Sequence, residues 1–286
     1  MTLTTGLTGI IPFADYNERS AGSTHLRADG LANTTNDFEI WKHGHKYDNL
    51  IFQKTYWHEM MEHFKGPKIL DLCDPDWING TVDLIEIGNL VNAITCSSPS
   101  LTALVKTYFP EKIVVCVPDR LNFDIFPLPR KPHKSKAKEI VWFGYIANAH
   151  ETLAQFAPTL KKLGLNLTII SDRPYSNEDE ILELHPQFIP YNFHSAYSNI
   201  KQADIVINPK SDKAFFKYKS NNKTIISWKL GLPVAETPEE LIYLLEAGKR
   251  NKETNKGRHI VNTEYNISKS ASQYREIIIR IKENQL

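Results

Sequence analysis

Residues that staple, anchor or repeat a chain are scarce here. Only three cysteines occur in 286 residues. Cys73, Cys96 and Cys116 each lie in an apolar, strand-like segment, so they read as buried free thiols and a cytoplasmic location is expected. Their spacing fits no zinc pattern. Apolar runs such as 112–118 are strand-length, too short to span a bilayer, so no transmembrane segment is expected. The opening MTLTTGLTGIIPF lacks the basic stretch of a secretory leader, and none is expected. No repeat of fixed period and no low-complexity tract is present. A one-signed charge excess is also missing, the net charge being +1.

That near-neutrality hides an uneven distribution. Residues 1–128 carry 10 Lys/Arg against 16 Asp/Glu, a balance of −6, and residues 129–286 carry 24 against 17, a balance of +7. Opposite signs suggest two domains with different tasks, the second favouring an anionic ligand. The segment 129–138, rich in proline and lysine and without periodicity, reads as a linker between them.

On both sides of it, short apolar runs alternate with longer mixed stretches. Strands are expected at 9–13, 50–53, 68–72, 93–96 and 112–117, with a helix at 98–108 capped by Ser98 and opened by Pro99. The pattern restarts with strands at 139–143, 166–170 and 203–208 and a helix at 149–163. Twofold alternation of this kind predicts two α/β domains with parallel sheets, whose ligands bind beyond the carboxyl ends of the strands. The last stretch, 268–286, is an amphipathic helix with Tyr274, Ile277, Ile278 and Ile281 on one face, which fits packing.

The stretch KSNNKTIISWKLGLPVA, 219–235, gathers lysines and amides where a helix begins. Ser220 or Asn221 suits the N-cap, and Gly231 the residue just past the C-terminus. Free N–H groups at that start, with Lys217, Lys219 and Lys223 around them, make an anion site suited to phosphate.

This segment, with Gly231-Leu-Pro-Val234 after the helix, resembles the donor-site segment of GT-B glycosyltransferases of the broad group 1 family. Trp142-Phe-Gly144 with Asn148 resembles the strand and glycine loop that open the family's C-terminal domain. The strand 204–209 resembles the one preceding the donor segment. Residues 20–24 with Arg27 stand where the family has its first glycine-containing loop, and 117–120 through Asp124 resembles the approach to the hinge. The resemblance implies two Rossmann-like domains facing a cleft: 1–128 on the acceptor side, 139–267 binding a nucleotide-sugar, and a helix 268–286 that can cross back. It implies donor binding by Gly144, Asn148, Lys217, Lys219, Ser220, Asn221, Asn222 and Lys223, and an acceptor near Gly22, Ser23, His25, Arg27 and Asp119. Many relatives carry glutamates at the positions of Tyr218 and Ile226. Ile226 cannot accept a hydrogen bond from a ribose hydroxyl.

Asp74-Pro-Asp76 is similar to the D-x-D metal motif of the other glycosyltransferase fold. Metal-independence of GT-B enzymes favours a cleft-lining or turn role, in which either aspartate can contact an acceptor or act as a base. The remaining histidines form no helical ligand pair, and Ser97, Ser98 and Cys96 lack the glycine context of a nucleophile elbow. The implied activity is metal-free glycosyl transfer from a nucleotide-activated sugar, with no cofactor, to a glycan, a small molecule or DNA. The acidic first half counts against DNA. The same residues are compatible with a sugar-nucleotide epimerase and with a non-catalytic scaffold of the same fold.

Overall fold

In the computed structural model, residues 5–13, 22–130, 132–177, 179–211 and 213–285 are described. The chain divides into two compact units. The first comprises Met1–Phe123, Lys213–Asn221 and Asn266–Leu286, the second Asp124–Asp212 and Asn222–Tyr265.

The first unit holds a six-stranded parallel sheet built from β1 (Thr8–Ile11), β2 (Phe38–Ile40), β3 (Asn49–Gln53), β4 (Lys68–Leu72), β5 (Ala93–Cys96) and β6 (Ile113–Cys116). Its order is β2-β1-β3-β4-β5-β6. Central strands of such a sheet are covered on both faces, which is why β3 and β5 are buried throughout. One face packs Phe52, Leu70, Ile94, Leu101 and Val105 together. On the other, Ile10, Ile51 and Ile69 meet Ile267, Ala271, Tyr274, Ile277, Ile278 and Ile281 of the last helix, Ile267–Glu283. Each such isoleucine contributes roughly 1.5–3 kcal/mol by leaving water, so the helix belongs firmly to this unit. Its start is fixed by a parallel bridge between Leu121 and Asn266.

The second unit holds β7 (Glu139–Phe143), β8 (Asn166–Ser171), β9 (Gln187–Pro190), β10 (Ile205–Ile207) and β11 (Val234–Ala235), all parallel, in the order β11-β10-β7-β8-β9. Trp142, Leu153, Phe156, Leu160 and Ile205 lie in its core. The helix expected over 149–163 is broken into Ile146–Thr152, a tight 3₁₀ turn Leu153–Phe156, and Ala157–Leu163. Pro158, in the first turn of the last piece, explains the restart, because proline has no N–H to continue the preceding helix.

The expected linker 129–138 is instead docked on the second unit. Arg130 N–H donates to the Leu230 carbonyl at 2.8 Å, and its guanidinium reaches the Gln202 carbonyl and Asp204 Oδ1 at 2.8 and 2.7 Å. Farther on, Lys138 N–H donates to Asp204 Oδ2 at 2.8 Å, and buried Arg250 donates to the Ser135 carbonyl. Composition suggested a free linker, but Lys134, Lys136 and Lys138 are exposed while the backbone is held.

Two sheet orders locate where a ligand can sit. A parallel sheet opens a crevice at the strand pair where its winding reverses, beyond their carboxyl ends. In the first unit that pair is β1 and β3; in the second it is β7 and β10. Among the described residues no helix is long and apolar enough to cross a membrane.

Candidate functional site

At the second unit's reversal point, the chain leaves β7 through Gly144 and leaves β10 through Asn208. The helix Asn222–Leu230 begins beside them. Lys223 joins these parts. Its Nζ lies 4.2 Å from the centroid of the buried Trp142 ring, a cation–π contact. A Cβ on Gly144 would fall 2.8 Å from both Cε and Nζ of Lys223, so the amine occupies space that only glycine leaves open. Gly144 also has φ 142°, a value L side chains rarely adopt. Asn208 Nδ2 donates to Thr224 Oγ1 at 3.3 Å, tying β10 to the first turn of the helix. Asn148 lies farther along, in the helix Ile146–Thr152, whose first N–H donates to Asp172 Oδ1 at 2.8 Å.

The helix closes as its sequence predicts. Gly231, at φ 82°, donates to the Trp228 carbonyl, and Leu232 N–H donates to the Ser227 carbonyl at 2.9 Å. That pair of bonds is a Schellman motif. Ile226 is 7% exposed, so a buried apolar side chain stands where the resemblance implied a glutamate.

Not all the lysine-rich stretch belongs to this unit. Residues 213–221, expected within the second domain, group with the first. Ser98 Oγ donates to the Tyr218 carbonyl at 2.8 Å, Ser100 Oγ to the Lys217 carbonyl at 3.1 Å, and Ser220 Oγ to Asp119 Oδ2 at 2.5 Å. Lys219 Nζ rests 4.9 and 4.6 Å from the ring centroids of Phe215 and Phe216. Burial lowers its pKa, and nearby Lys54 adds to that while Asp74 opposes it. Lys217 is exposed, with Nζ 5.9 Å from the Tyr218 ring. Gly144, Asn222 and Lys223 are thus brought together in the second unit, whereas Lys217, Lys219, Ser220 and Asn221 are fixed in the first.

Three residues expected near an acceptor are buried in the first unit. Arg27 is 4% exposed, and all five of its N–H donors are used. Nε and Nη2 bind Asp71 at 2.7 and 2.5 Å. Nη1 reaches the Val117 carbonyl and Asp119 Oδ1 at 2.8 and 2.9 Å, and Nη2 reaches Tyr274 Oη at 3.3 Å. Asp119 accepts from Arg27 on one oxygen and Ser220 on the other. This is a structural network with no donor left over for a ligand. His25, 3% exposed, pairs through Nδ1 with Asp29 at 2.8 Å, one helical turn on. Gly22 and Ser23 open the helical turn that carries these residues, and Gly22 is exposed. Ser20 and Ala21 of the same loop lie outside the described residues.

The Asp74–Asp76 pair is held by a lysine. Lys54 Nζ lies 2.8 Å from Asp74 Oδ2 and 3.4 Å from Asp76 Oδ1, and Tyr56 Oη donates to Asp76 Oδ2 at 2.8 Å. Burial raises the Asp76 pKa, with Lys54 and Tyr56 opposing it. Burial would lower that of Lys54, but Asp74 and Asp76 outweigh it and raise it. Among the described residues no group of three His, Cys, Asp or Glu could hold a metal ion. Lys54 and Tyr56 stand in no motif of the sequence; their one signal is position, just after the third strand.

No protein-family model matches the sequence, and no curated protein matches it. Solved structures do match the fold. HepE from Anabaena, in complex with UDP and glucose, superposes with a TM-score of 0.67 at 10% identity, covering 95% of this chain and 98% of HepE. A glycosyltransferase from Rickettsia africae gives 0.62 at 12% identity, covering 98% and 99%. TarM gives 0.58 at 11%, covering 80% of this chain, which spans only 54% of TarM. The chain therefore shares its fold with these structures.

Proposed function

We propose that this chain transfers a glycosyl group from a nucleotide-diphosphate sugar to an acceptor carried by the first unit. The observation that carries the reading is the close approach of Lys223 to Gly144 at the start of the helix Asn222–Leu230. A cation, a glycine and the N–H end of a helix converge where the second sheet reverses its winding. Each of these features favours phosphate oxygens. In the reaction the bond from the sugar's C1 to the diphosphate oxygen breaks. An acceptor hydroxyl oxygen bonds to C1 and loses its proton. Negative charge grows on the departing diphosphate, and fixed donors aimed at that charge lower the barrier. The fold's likeness to HepE, whose structure holds UDP and glucose, makes UDP the first donor nucleotide to try.

The reading includes no metal and no cofactor: Lys54 already lies between Asp74 and Asp76, the carboxylates a divalent ion would need. It places the reaction in the cytoplasm. Calorimetric titration with UDP tests it, with and without excess EDTA. Binding that EDTA leaves unchanged, and that Lys223→Ala weakens about ten- to a hundredfold, is expected for the loss of one charge-assisted hydrogen bond. Absence of binding by UDP and the other nucleoside diphosphates would sink the reading, and dependence on Mn²⁺ would overturn its metal-free form.

A further inference from the structure

We infer that the first unit carries a separate ligand site at the amino ends of its strands, one that takes a small organic anion, a carboxylate or phosphate on a partly apolar body. The site lies at the opposite end of the sheet from the crevice between β1 and β3, and it does not depend on the transferase reading. A groove of about 640 Å³ opens there, within the size range of small-molecule sites. Val91, Ile113 and Ile281 supply its apolar part, and Tyr108, Lys112 and the amide-bearing residues Asn92, Asn284 and Gln285 its polar part.

Strand register builds the polar part. Ile69, Ala93 and Ile113 stand side by side on β4, β5 and β6, so Lys68, Asn92 and Lys112 form the next row out, at the amino edge of the sheet. Lys68 N–H donates to Asn92 Oδ1 and Asn92 N–H to the Lys68 carbonyl, both at 2.9 Å. The Asn92 Nδ2 amide keeps two N–H donors that meet no acceptor among the described residues. Lys112 Nζ donates to the Val91 carbonyl at 2.6 Å and lies 5.9 Å from the Phe109 ring centroid. Its other two N–H donors meet no carboxylate among the described residues, since Glu111 on the same rim is exposed and makes no ion pair with it. Burial lowers the Lys112 pKa, and the charge of Lys68 lowers it further. Tyr108 is 42% exposed, its ring held edge-on by Trp77 with centroids 6.2 Å apart and planes at 82°.

The chemistry selects among ligands. A half-buried ammonium without a counter-ion favours an anion, whose charge offsets the repulsion from Lys68. A cation is repelled, and a plain hydrocarbon would finish desolvating Lys112 without a partner. A polyanion such as nucleic acid is disfavoured by the −6 that residues 1–128 carry. A small anion with a flat apolar body matches every part. Its charge meets Lys112, its remaining oxygens accept from the amides, and its body covers the Tyr108 ring.

Amide NMR titration of the full chain, with UDP in excess to fill the donor site, tests this. The probes are benzoate and phenyl phosphate, which separate a carboxylate from a phosphate ligand, with benzamide as the uncharged control. At millimolar concentration at least one of the two anions should shift the backbone signals of Ile113 and Asn284 and the side-chain amides of Asn92 and Gln285. Lys112→Met should weaken that anion about ten- to a hundredfold, the loss of one charge-assisted hydrogen bond, and Lys112→Arg should keep most of the affinity. Tyr108→Ala, an exposed change that spares the fold, should weaken it roughly three- to tenfold. Lys223→Ala should leave it unchanged, which distinguishes this site from the diphosphate site. Melting curves identify a misfolded Lys112→Met protein, in which case Tyr108→Ala carries the test. No shifts with either anion, equal shifts with benzamide, or an affinity indifferent to Lys112→Met or Tyr108→Ala in the folded protein overturns the proposal.

Discussion

Arg27 and Asp71 form a two-pronged pair buried in the first unit, with Nε to Oδ2 at 2.7 Å and Nη2 to Oδ1 at 2.5 Å. Thr95 and Tyr274 hydroxyls complete the carboxylate's shell at 2.6 and 2.9 Å. Tyr274 lies on the last helix, so this cluster ties strand ends to that helix. Arg27→Met would strand two buried carboxylates, Asp71 and Asp119, and should cost about 3–5 kcal/mol in chemical denaturation. Asp71→Asn on that background should recover part of the loss, because a neutral amide still accepts from Thr95 and Tyr274. A stable Arg27→Met protein with impaired turnover alone would restore Arg27 to an acceptor site.

The docked segment 129–138 leads to a second expectation. Trypsin needs several residues of extended, accessible chain. Ser135 is held by Arg250, which is fully buried and also donates to the Leu244 and Leu245 carbonyls at 2.9 and 2.6 Å. The native protein should therefore resist cutting after Arg130, Lys134 and Lys136. Arg250→Met should expose those bonds. Mass spectrometry of timed digests reads both; early wild-type cleavage there would mean the segment is a free linker after all.

His133 makes stability depend on pH. Burial lowers its pKa to about 4, and the nearby Arg250 and Arg130 guanidinium groups lower it too, against an opposing pull from Asp204. The folded state thus binds this proton less readily than the unfolded chain, whose histidines titrate near 6.5. Its neutral form supports folding fully above pH 6.5, and that contribution is lost as pH falls toward 4, on the order of 2 kcal/mol. Melting temperatures should drop between pH 7 and 4.5 in the wild type and drop less in His133→Phe. Equal slopes would show that His133 charges freely when folded.

How far the sequence revealed this follows from its periodicity. Strands β4, β5 and β7 lie at their expected bounds, because a strand covered on both faces reads as a short, mostly apolar run. Two edge-side strands escaped. In β2 the apolar pair Phe38 and Ile40 flanks a glutamate, and β9 is exposed at both ends and closes on Pro190. The phosphate-like helix start was legible from Asn222, Lys223 and Gly231, all local signals. The attachment of 213–221 to the first unit was not, since Ser98 and Tyr218 are 120 residues apart. Arg27 looked available for a ligand for the same reason, its partners being distant in sequence.

The two glycines of the second unit should fail in opposite ways. At Gly231 a Cβ would meet Arg130 N and O at 3.0 and 3.2 Å, on a backbone with φ 82°. Valine there should cost at least ~1–2 kcal/mol of stability and leave the UDP affinity of the folded protein unchanged. At Gly144 an added methyl displaces the Lys223 amine. Gly144→Ala should therefore weaken UDP binding through Lys223, beyond any cost in stability from its φ. A double-mutant cycle isolates that route, because residues acting through one contact lose it only once. Gly144→Ala should weaken UDP binding markedly in the wild type and little in Lys223→Ala, whereas Gly231→Val should be indifferent to Lys223 in both. Strictly additive losses at Gly144 and Lys223 would mean that the space left by the missing Gly144 side chain does not position the Lys223 amine for a diphosphate, and the donor site would have to be sought elsewhere.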